Sequence, residues 1–364
     1  MKKVFLIVLC FLMAFSMVAC NNAKETAGNN QATQKQETNE AETRIVLDAS
    51  GNEVEIAKDV KKVVNLWNSA NEIIVQLGAR DIMVGGSSFL QSRPWMTHIF
   101  PGAKDVEVIS DGQTANVEKI LEIDPDVIIS VAGRADALKE IGEPVVELTG
   151  GKSADELMEQ MSIVAKALGS EYEENAEAFF TYFNKNLDLV EKVAATVPQE
   201  EKIVVLHGTT STTTIDDSVV GSLLKTANVT NAFAGSEAPE ISYEQIIAAD
   251  PDVIIVAQGN HAEYEKFMTD PLYKDVSAVK NNRVHINPAG MFYWDAFSGE
   301  MSLEILWMAK TSYPDYFKDV DLEEETKYFY KTFLDYEMTD EEVQYLYEGK
   351  GPNGEWQDSG KKSK

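Results

Sequence analysis

The chain has 364 residues, 44% of them hydrophobic, enough for two domains of ordinary size with their own cores. Lys plus Arg number 32 against 60 Asp plus Glu, a formal net charge of −28. That balance argues against nucleic acid or an acidic membrane surface as the main partner, because both reward clustered positive charge. An acidic surface of this kind serves solubility.

The N-terminus sets the compartment. Lys2 and Lys3 precede an apolar run from Val4 to Ala19, shorter than the ~20 residues a membrane span needs and proportioned like a signal peptide. The run stops at "MVAC", which resembles the lipobox of bacterial lipoproteins, where the signal is cut before the cysteine and the thiol carries a diacylglycerol. The expectation is a signal peptide over 1–19 and lipidation at Cys20. Cys10 leaves with the signal and Cys20 is consumed by lipid, so no disulfide is expected within the mature chain. Residues 20–43 form the lipidated cysteine and a tether of Asn, Gln, Thr, Glu, Lys and Ala, too polar to offset its ordering entropy.

The stretch "TRIVLDASGNEVEI" reads as a hairpin around Asp-Ala-Ser-Gly-Asn. Short apolar strands then alternate with helical patterns: "VKKVVNLW", "DIMVGGS", "PDVIISVA" and "PVVELT" are the strands. Such alternation predicts right-handed βαβ units and a parallel sheet, giving an N-terminal lobe over 44–152. Residues 153–197 read as helical, opening with a capping box at Ser153-Ala-Asp-Glu156 and breaking near Gly169. The piece from about Glu171 to Thr196 reaches about 39 Å at 1.5 Å per residue, long enough to bridge two lobes. The alternation restarts with "KIVVLHG", "PDVIIVAQ" and "NRVHINP", a C-terminal lobe over 198–312. Residues 313–364 read as an acidic helical extension with a capping box at Thr339 to Glu342 and a frayed end after Gly349.

One phrase occurs twice. "NVEKILEIDPDVIIS" begins at Asn116 and "SYEQIIAADPDVIIV" at Ser242, one copy in each lobe. In each, a short helix headed by a glutamate is ended by Asp-Pro, and Asp-Val-Ile-Ile starts a buried strand. The repetition implies two similar lobes facing each other. Glu118 and Glu244 recur at the same place, where a first-turn carboxylate gains about 0.3–1 kcal/mol from the helix dipole.

Lipobox, tether, two βα lobes on one long helix, and the paired Asp-Pro-Asp-Val-Ile-Ile motif resemble the substrate-binding lipoproteins of bacterial ABC importers for iron-siderophores, haem and cobalamin. "VKNNRVHINP" is also similar to a phrase of that family. The resemblance covers about Arg44 to Lys310. It implies two Rossmann-like lobes joined by one inter-lobe helix with a ligand cleft between them. It also implies a membrane permease dimer with its ATPase as partner, docked through arginines that meet Glu118 and Glu244.

In open α/β lobes, ligands bind beyond the carboxyl ends of the strands. Those ends offer Trp67, Asn68, Ser87, Phe89, Arg93, Trp95 and Arg134 from the first lobe, and His207, Gln258, Phe292, Tyr293 and Trp294 from the second. The chain holds five arginines, and two of them, Arg93 and Arg134, fall on cleft loops, where a rigid guanidinium suits carboxylate, phosphate or catecholate oxygens. The aromatics suit large flat ligands, with Phe292 and Trp294 expected to be the exposed pair of their loop. A metal chelate, a ferric siderophore foremost or else haem or cobalamin, is therefore the expected ligand, and no cofactor or resident metal is expected.

Other readings have less in their favour. His98, His207, His261 and His285 lack the tight spacing of a preformed metal site, although loops could gather His98, His207 and Asp295; His207 is the candidate axial ligand for the metal of a chelate. A receptor for a metal ion, a nickel complex or an oxyanion on the same frame stays open. "VVELTGGKSADEL" imitates a phosphate loop, but Val146 stands where its first glycine is required. No Gly-x-Ser-x-Gly elbow supports an extracellular hydrolase, so no catalytic residue is expected.

Overall fold

The computed structural model describes residues 42–112 and 114–357. The signal peptide, Cys20 and nearly all of the tether lie outside the described residues. No described helix is long and apolar enough to cross a membrane.

The first described element is the hairpin, β1 (Thr43–Leu47) paired antiparallel with β2 (Glu53–Ala57), Arg44 opposite Ile56. Its turn is held by the Asp48 carboxylate, which accepts from the Ser50 and Asn52 amides at 2.9 Å each, while Gly51 takes φ +80°. Val46 and Ile56 point inward, as period-two alternation requires.

Five parallel strands follow: β3 (Val63–Asn65), β4 (Met83–Ser87), β5 (Glu107–Ser110), β6 (Val127–Val131) and β7 (Val145–Leu148), in the order β5-β4-β3-β6-β7. The second sheet is also parallel, β8 (Val204–Gly208), β9 (Thr230–Asn231), β10 (Val253–Val256) and β11 (Val284–Ile286), in the order β11-β10-β8-β9. The interior strands β6 and β10 are buried on both faces, which explains their Val-Ile-Ile runs.

The repeated phrase builds the same joint in each lobe. Helix Val117–Ile123 is capped by the Asn116 side chain accepting from the Lys119 amide at 3.1 Å; helix Tyr243–Ala249 carries a full capping box at Ser242. Each buries one isoleucine, Ile120 or Ile246, and ends on an aspartate in the left-handed region, Asp124 at φ +52° and Asp250 at φ +41°. The second aspartate of each motif ties the joint to the neighbouring strand. Asp126 accepts from the Lys61 and Lys62 amides at 2.7 and 2.8 Å, and Asp252 accepts from the Val204 amide at 2.7 Å. The strands so placed, β6 and β10, pair with β3 and β8.

Helix Ala154–Leu168 stops at Gly169, and a second helix runs Ser170–Ala194, 25 residues or about 38 Å. Asn175 near its start donates to the Leu77 carbonyl at 2.9 Å, and the Ala194 carbonyl at its end accepts from Asn228 at 2.8 Å, so one rod touches both lobes. Phe179 and Phe183 on its inner face are fully buried, roughly 1.5–3 kcal/mol each. The Ser153 cap differs from the expected box: the hydroxyl accepts from the Glu156 amide, but the Glu156 carboxylate accepts from the Lys152 amide, one residue earlier than a capping box requires.

After helix Met301–Ser312 come helices Leu322–Leu334 and Asp340–Tyr347, the latter with the expected capping box at Thr339. Fraying after Gly349 is not what the structure shows for 349–357. Gly351 and Gln357 are buried, and the segment lies against both lobes. Its anchors are backbone carbonyls and one amide side chain, which leave no mark in a hydropathy pattern.

Candidate ligand cleft

The loops after the first-lobe strands are wired to one another. Asn65 at the end of β3 receives the Trp67 amide at 3.1 Å and donates to the Trp67 carbonyl at 2.8 Å and to Asn71 at 2.6 Å. Ser87 at the end of β4 donates to Oδ1 of the Asn68 side chain at 2.6 Å. Arg134, exposed, donates to the Gly112 carbonyl at 2.9 Å, across to the loop after β5. These bonds fix the Trp67-Asn68 turn before any ligand arrives.

In the second lobe β8 delivers His207 and Gly208. Gly208 has φ +155°, and a Cβ there would sit 2.1 Å from the Thr212 carbonyl oxygen, so the tight hydroxyl-rich turn needs a glycine. His207 is 3% exposed; Nδ1 lies 2.7 Å from the Thr214 hydroxyl, and Nε2 stands 3.2 Å from Asp295 Oδ2, out of line for a hydrogen bond. Asp295 Oδ2 also accepts from the Gln258 amide at 2.8 Å, holding exposed Gln258 at φ +57°. A cavity of about 480 Å³ opens here, lined by Lys152, His207, Thr213, Ser218, Gln258 and Asp295 among others.

Aromatic rings close the space between the lobes. Trp67 meets Phe297 with centroids 5.8 Å apart, and Phe89 meets Phe292 at 5.3 Å and Tyr293 at 6.4 Å. The Arg93 guanidinium lies 4.2 Å from the Tyr293 centroid and 5.6 Å from that of Phe89. Its Nη2 reaches the Gly290 carbonyl at 3.5 Å, while Nε has no hydrogen-bond partner. Burial lowers the Arg93 pKa from its usual value. Apart from the Arg93–Phe89 contact, which lies within the first lobe, these contacts join the first lobe to the segment 290–297 of the second.

Two buried carboxylates hold that segment in place. Glu300 accepts from the Met291 amide at 3.1 Å, the Phe292 amide at 2.8 Å and the Tyr330 hydroxyl, and burial raises its pKa to about 7. Glu72, on the first-lobe helix Asn68–Gln76, accepts from the Gly299 amide at 2.7 Å. Its pKa is raised well above the usual range, by burial first and by Glu300 second. The approach requires Gly290 and Gly299: a Cβ would fall 2.0 Å from Glu300 Oε1 at the first and 1.8 Å from Gln76 Oε1 at the second.

Several expectations need correction. Trp95 is fully buried with its indole donating to the Lys350 carbonyl at 2.8 Å, so it is core and not a cleft residue. Trp294 is fully buried too, edge-on to Tyr347 at 6.1 Å. Phe292 is 8% exposed, and it is Tyr293 between them that stays half-buried and faces Arg93. His207 and Asp295 do come together, but His98 turns away to Tyr336, 2.7 Å distant. His261 stacks on Trp356, and His285 is half-buried with its pKa lowered to about 4 by desolvation and by Arg283. Among the described residues no three His, Cys, Asp or Glu side chains are grouped to hold a metal ion.

Trp67, Asn68, Ser87, Phe89, Arg93 and Arg134 thus stand at the carboxyl ends of the first sheet, and His207, Gln258, Phe292 and Tyr293 at those of the second. Phe297, Glu72, Glu300 and Tyr330 were not singled out from sequence. Glu72 had a signal available, since it lies in "NEIIVQLG" directly before two buried isoleucines. On the outer surface, Glu118 and Glu244 are both exposed in the first turns of their matching helices. Glu244 has its pKa lowered, chiefly by a hydrogen bond from Tyr243.

Known proteins share this frame. An ABC transporter substrate-binding lipoprotein of Bacillus subtilis (YvrC) is 28% identical over 85% of this chain and 96% of its own length. The Fe(3+)-citrate-binding protein YfmC of the same organism is 25% identical over 83% and 94%. A periplasmic solute binding protein of Veillonella parvula has the same fold at a TM-score of 0.74, 24% identity, and 86% and 99% coverage of the two chains. So does the molybdate-bound MolA of Haemophilus influenzae at a TM-score of 0.72, 19% identity, 81% and 99% coverage. The family model described as periplasmic binding protein matches residues 63–289, and the chain belongs to that family.

Proposed function

We propose that this chain is the extracytoplasmic solute receptor of an ABC importer, held at the membrane by a lipid on Cys20, and that it captures a metal chelate of the ferric-siderophore class. The observation that carries the reading is the cleft itself. Arg93, Phe89 and Trp67 from one sheet pack on Tyr293, Phe292 and Phe297 from the other at the strand ends, so that parting the lobes would turn a cation and flat faces toward an anionic, ring-bearing ligand. Relatives named for ferric citrate, ferric hydroxamate and petrobactin support this ligand class.

Delivery follows from the duplicated joint. Glu118 and Glu244 head equivalent helices on two lobes fastened to one rod, which gives a two-fold permease a spaced pair of carboxylates to engage with basic pockets. The chain performs no chemistry of its own in this reading. Deleting it from its host should abolish accumulation of radioiron supplied as the cognate chelate while leaving uptake of unrelated solutes intact. Undiminished accumulation would refute the proposal.

A second reading has one specific observation in its favour. The cavity beside His207 is about 480 Å³ and lined by hydroxyls, Lys152 paired with Asp217, and Asp295, which admits a compact ligand or small chelate as the lobes stand, whereas a corrinoid needs them to part.

A further inference from the structure

The family model ends at residue 289, and residues 313–357 lie beyond it. This segment does not sit on one lobe. On helix Leu322–Leu334, Phe329 and Phe333 pack on Phe179 of the bridging rod at 6.5 and 5.6 Å. The Leu334 carbonyl accepts from Arg80 of the first lobe at 2.7 Å, and the Tyr336 hydroxyl, 2.7 Å from His98, donates to Glu342.

The chain then returns across the cleft edge. The Lys350 carbonyl accepts from Trp95 of the first lobe at 2.8 Å and from Gln357 at 3.0 Å; Gln357 also donates to the Ala289 carbonyl of the second lobe at 3.0 Å. Trp356 stacks on His261, centroids 3.6 Å apart and planes at 18°, on the loop that follows β10. Gly349, at φ +72°, lies so close that a Cβ there would be 3.2 Å from the Gly259 Cα. Nine residues thus touch the first turn of the helix Pro94–Ile99, the loop at Gly259–His261 and the start of the aromatic segment.

The deeper contact is Tyr330. Its hydroxyl donates to Glu300, the carboxylate that receives the Met291 and Phe292 amides. We propose that the C-terminal segment is a clasp: residues 349–357 tie the two lobes together along one edge of the cleft, and Tyr330, through Glu300, sets the position of the Ala289–Trp294 loop that presents Tyr293 to Arg93. Tyr330 and Trp356 are positioning residues, since neither reaches the cleft itself. The clasp rests on contacts alone; its bearing on affinity rests on the solute-receptor reading.

Hydrogen exchange on the full chain tests it. In Trp356→Ala, amides of both 93–98 and 257–261 should exchange at least tenfold faster, with strands β3 and β6 unchanged, and Trp356→Phe should restore the slow rates by keeping a ring on His261. In Tyr330→Phe, which keeps the ring and removes only the donor, the Met291 and Phe292 amides should exchange at least tenfold faster. Affinity for whichever of ferric citrate, a ferric hydroxamate or molybdate stabilises the wild type should fall. Faster exchange confined to 349–357 in Trp356→Ala, together with unchanged amides at 291–292 in Tyr330→Phe, overturns the clasp. If exchange responds as expected but none of ferric citrate, a ferric hydroxamate, a ferric catecholate, haem or cobalamin stabilises the wild type, the clasp stands and the ligand reading fails.

Discussion

The guanidinium of Arg93, on the first lobe, lies 4.2 Å from the ring centroid of Tyr293 on the second, and at 7% exposure it is screened from bulk water. A desolvated cation over an aromatic face is worth about 2 kcal/mol. Arg93→Ala should lower the unfolding free energy by about that amount, read as a lower urea midpoint at an unchanged slope. Arg93→Lys should recover only part of it, since a compact ammonium does not lie flat on the ring. An Arg93→Ala protein as stable as the wild type would mean the contact contributes nothing.

Glu118 and Glu244 make a separate prediction, because both are exposed in the first turns of their helices and neither lines the cleft cavity. With both changed to Ala, ligand affinity should be unchanged, while uptake falls tenfold or more through slower or misdirected docking, as losing complementary charge does. A fall in ligand affinity would remove the docking assignment.

The buried pair Glu72 and Glu300 gives stability a pH dependence whose sign can be worked out. Both carboxyls have pKa values raised by burial, Glu300 to about 7 and Glu72 well above the usual range. The folded protein therefore binds protons that the unfolded chain releases above about pH 4.5, and stability falls as pH rises through that window, by up to about 1.4 kcal/mol per unit for each group. Glu72→Gln keeps an oxygen for the Gly299 amide and removes the titration. Urea midpoints between pH 5 and 7.5 should decline less steeply in the variant; parallel curves would contradict the account.

Much of the frame was legible because periodicity reports which face of an element is buried. The doubled Asp-Pro-Asp-Val-Ile-Ile phrase gave a joint and an interior strand to each lobe, and β6 and β10 are those strands. The cleft was legible only as a set of loops. Trp294 lies on one of them and Trp95 in the first turn of the helix Pro94–Ile99 beside another, yet both point inward, because their partners, the Lys350 carbonyl and Tyr347, come from a segment more than 50 residues away from either position. Nothing local in a loop encodes a partner of that kind. The two-residue strand β9 is too short to carry an alternation, and Glu300 became visible only with the backbone amides it accepts.

The central claim is that the cleft holds a metal chelate, and thermal unfolding of the mature chain with a ligand panel tests it most directly. The panel is ferric citrate, a ferric hydroxamate, a ferric catecholate, haem, cobalamin, nickel, zinc and molybdate. At a hundred times the dissociation constant a bound ligand adds about 2.7 kcal/mol, which raises the midpoint by several degrees. The account predicts that at least one metal chelate produces this rise and that Arg93→Ala diminishes it. A rise with bare zinc or nickel alone, or with nothing in the panel, would contradict it.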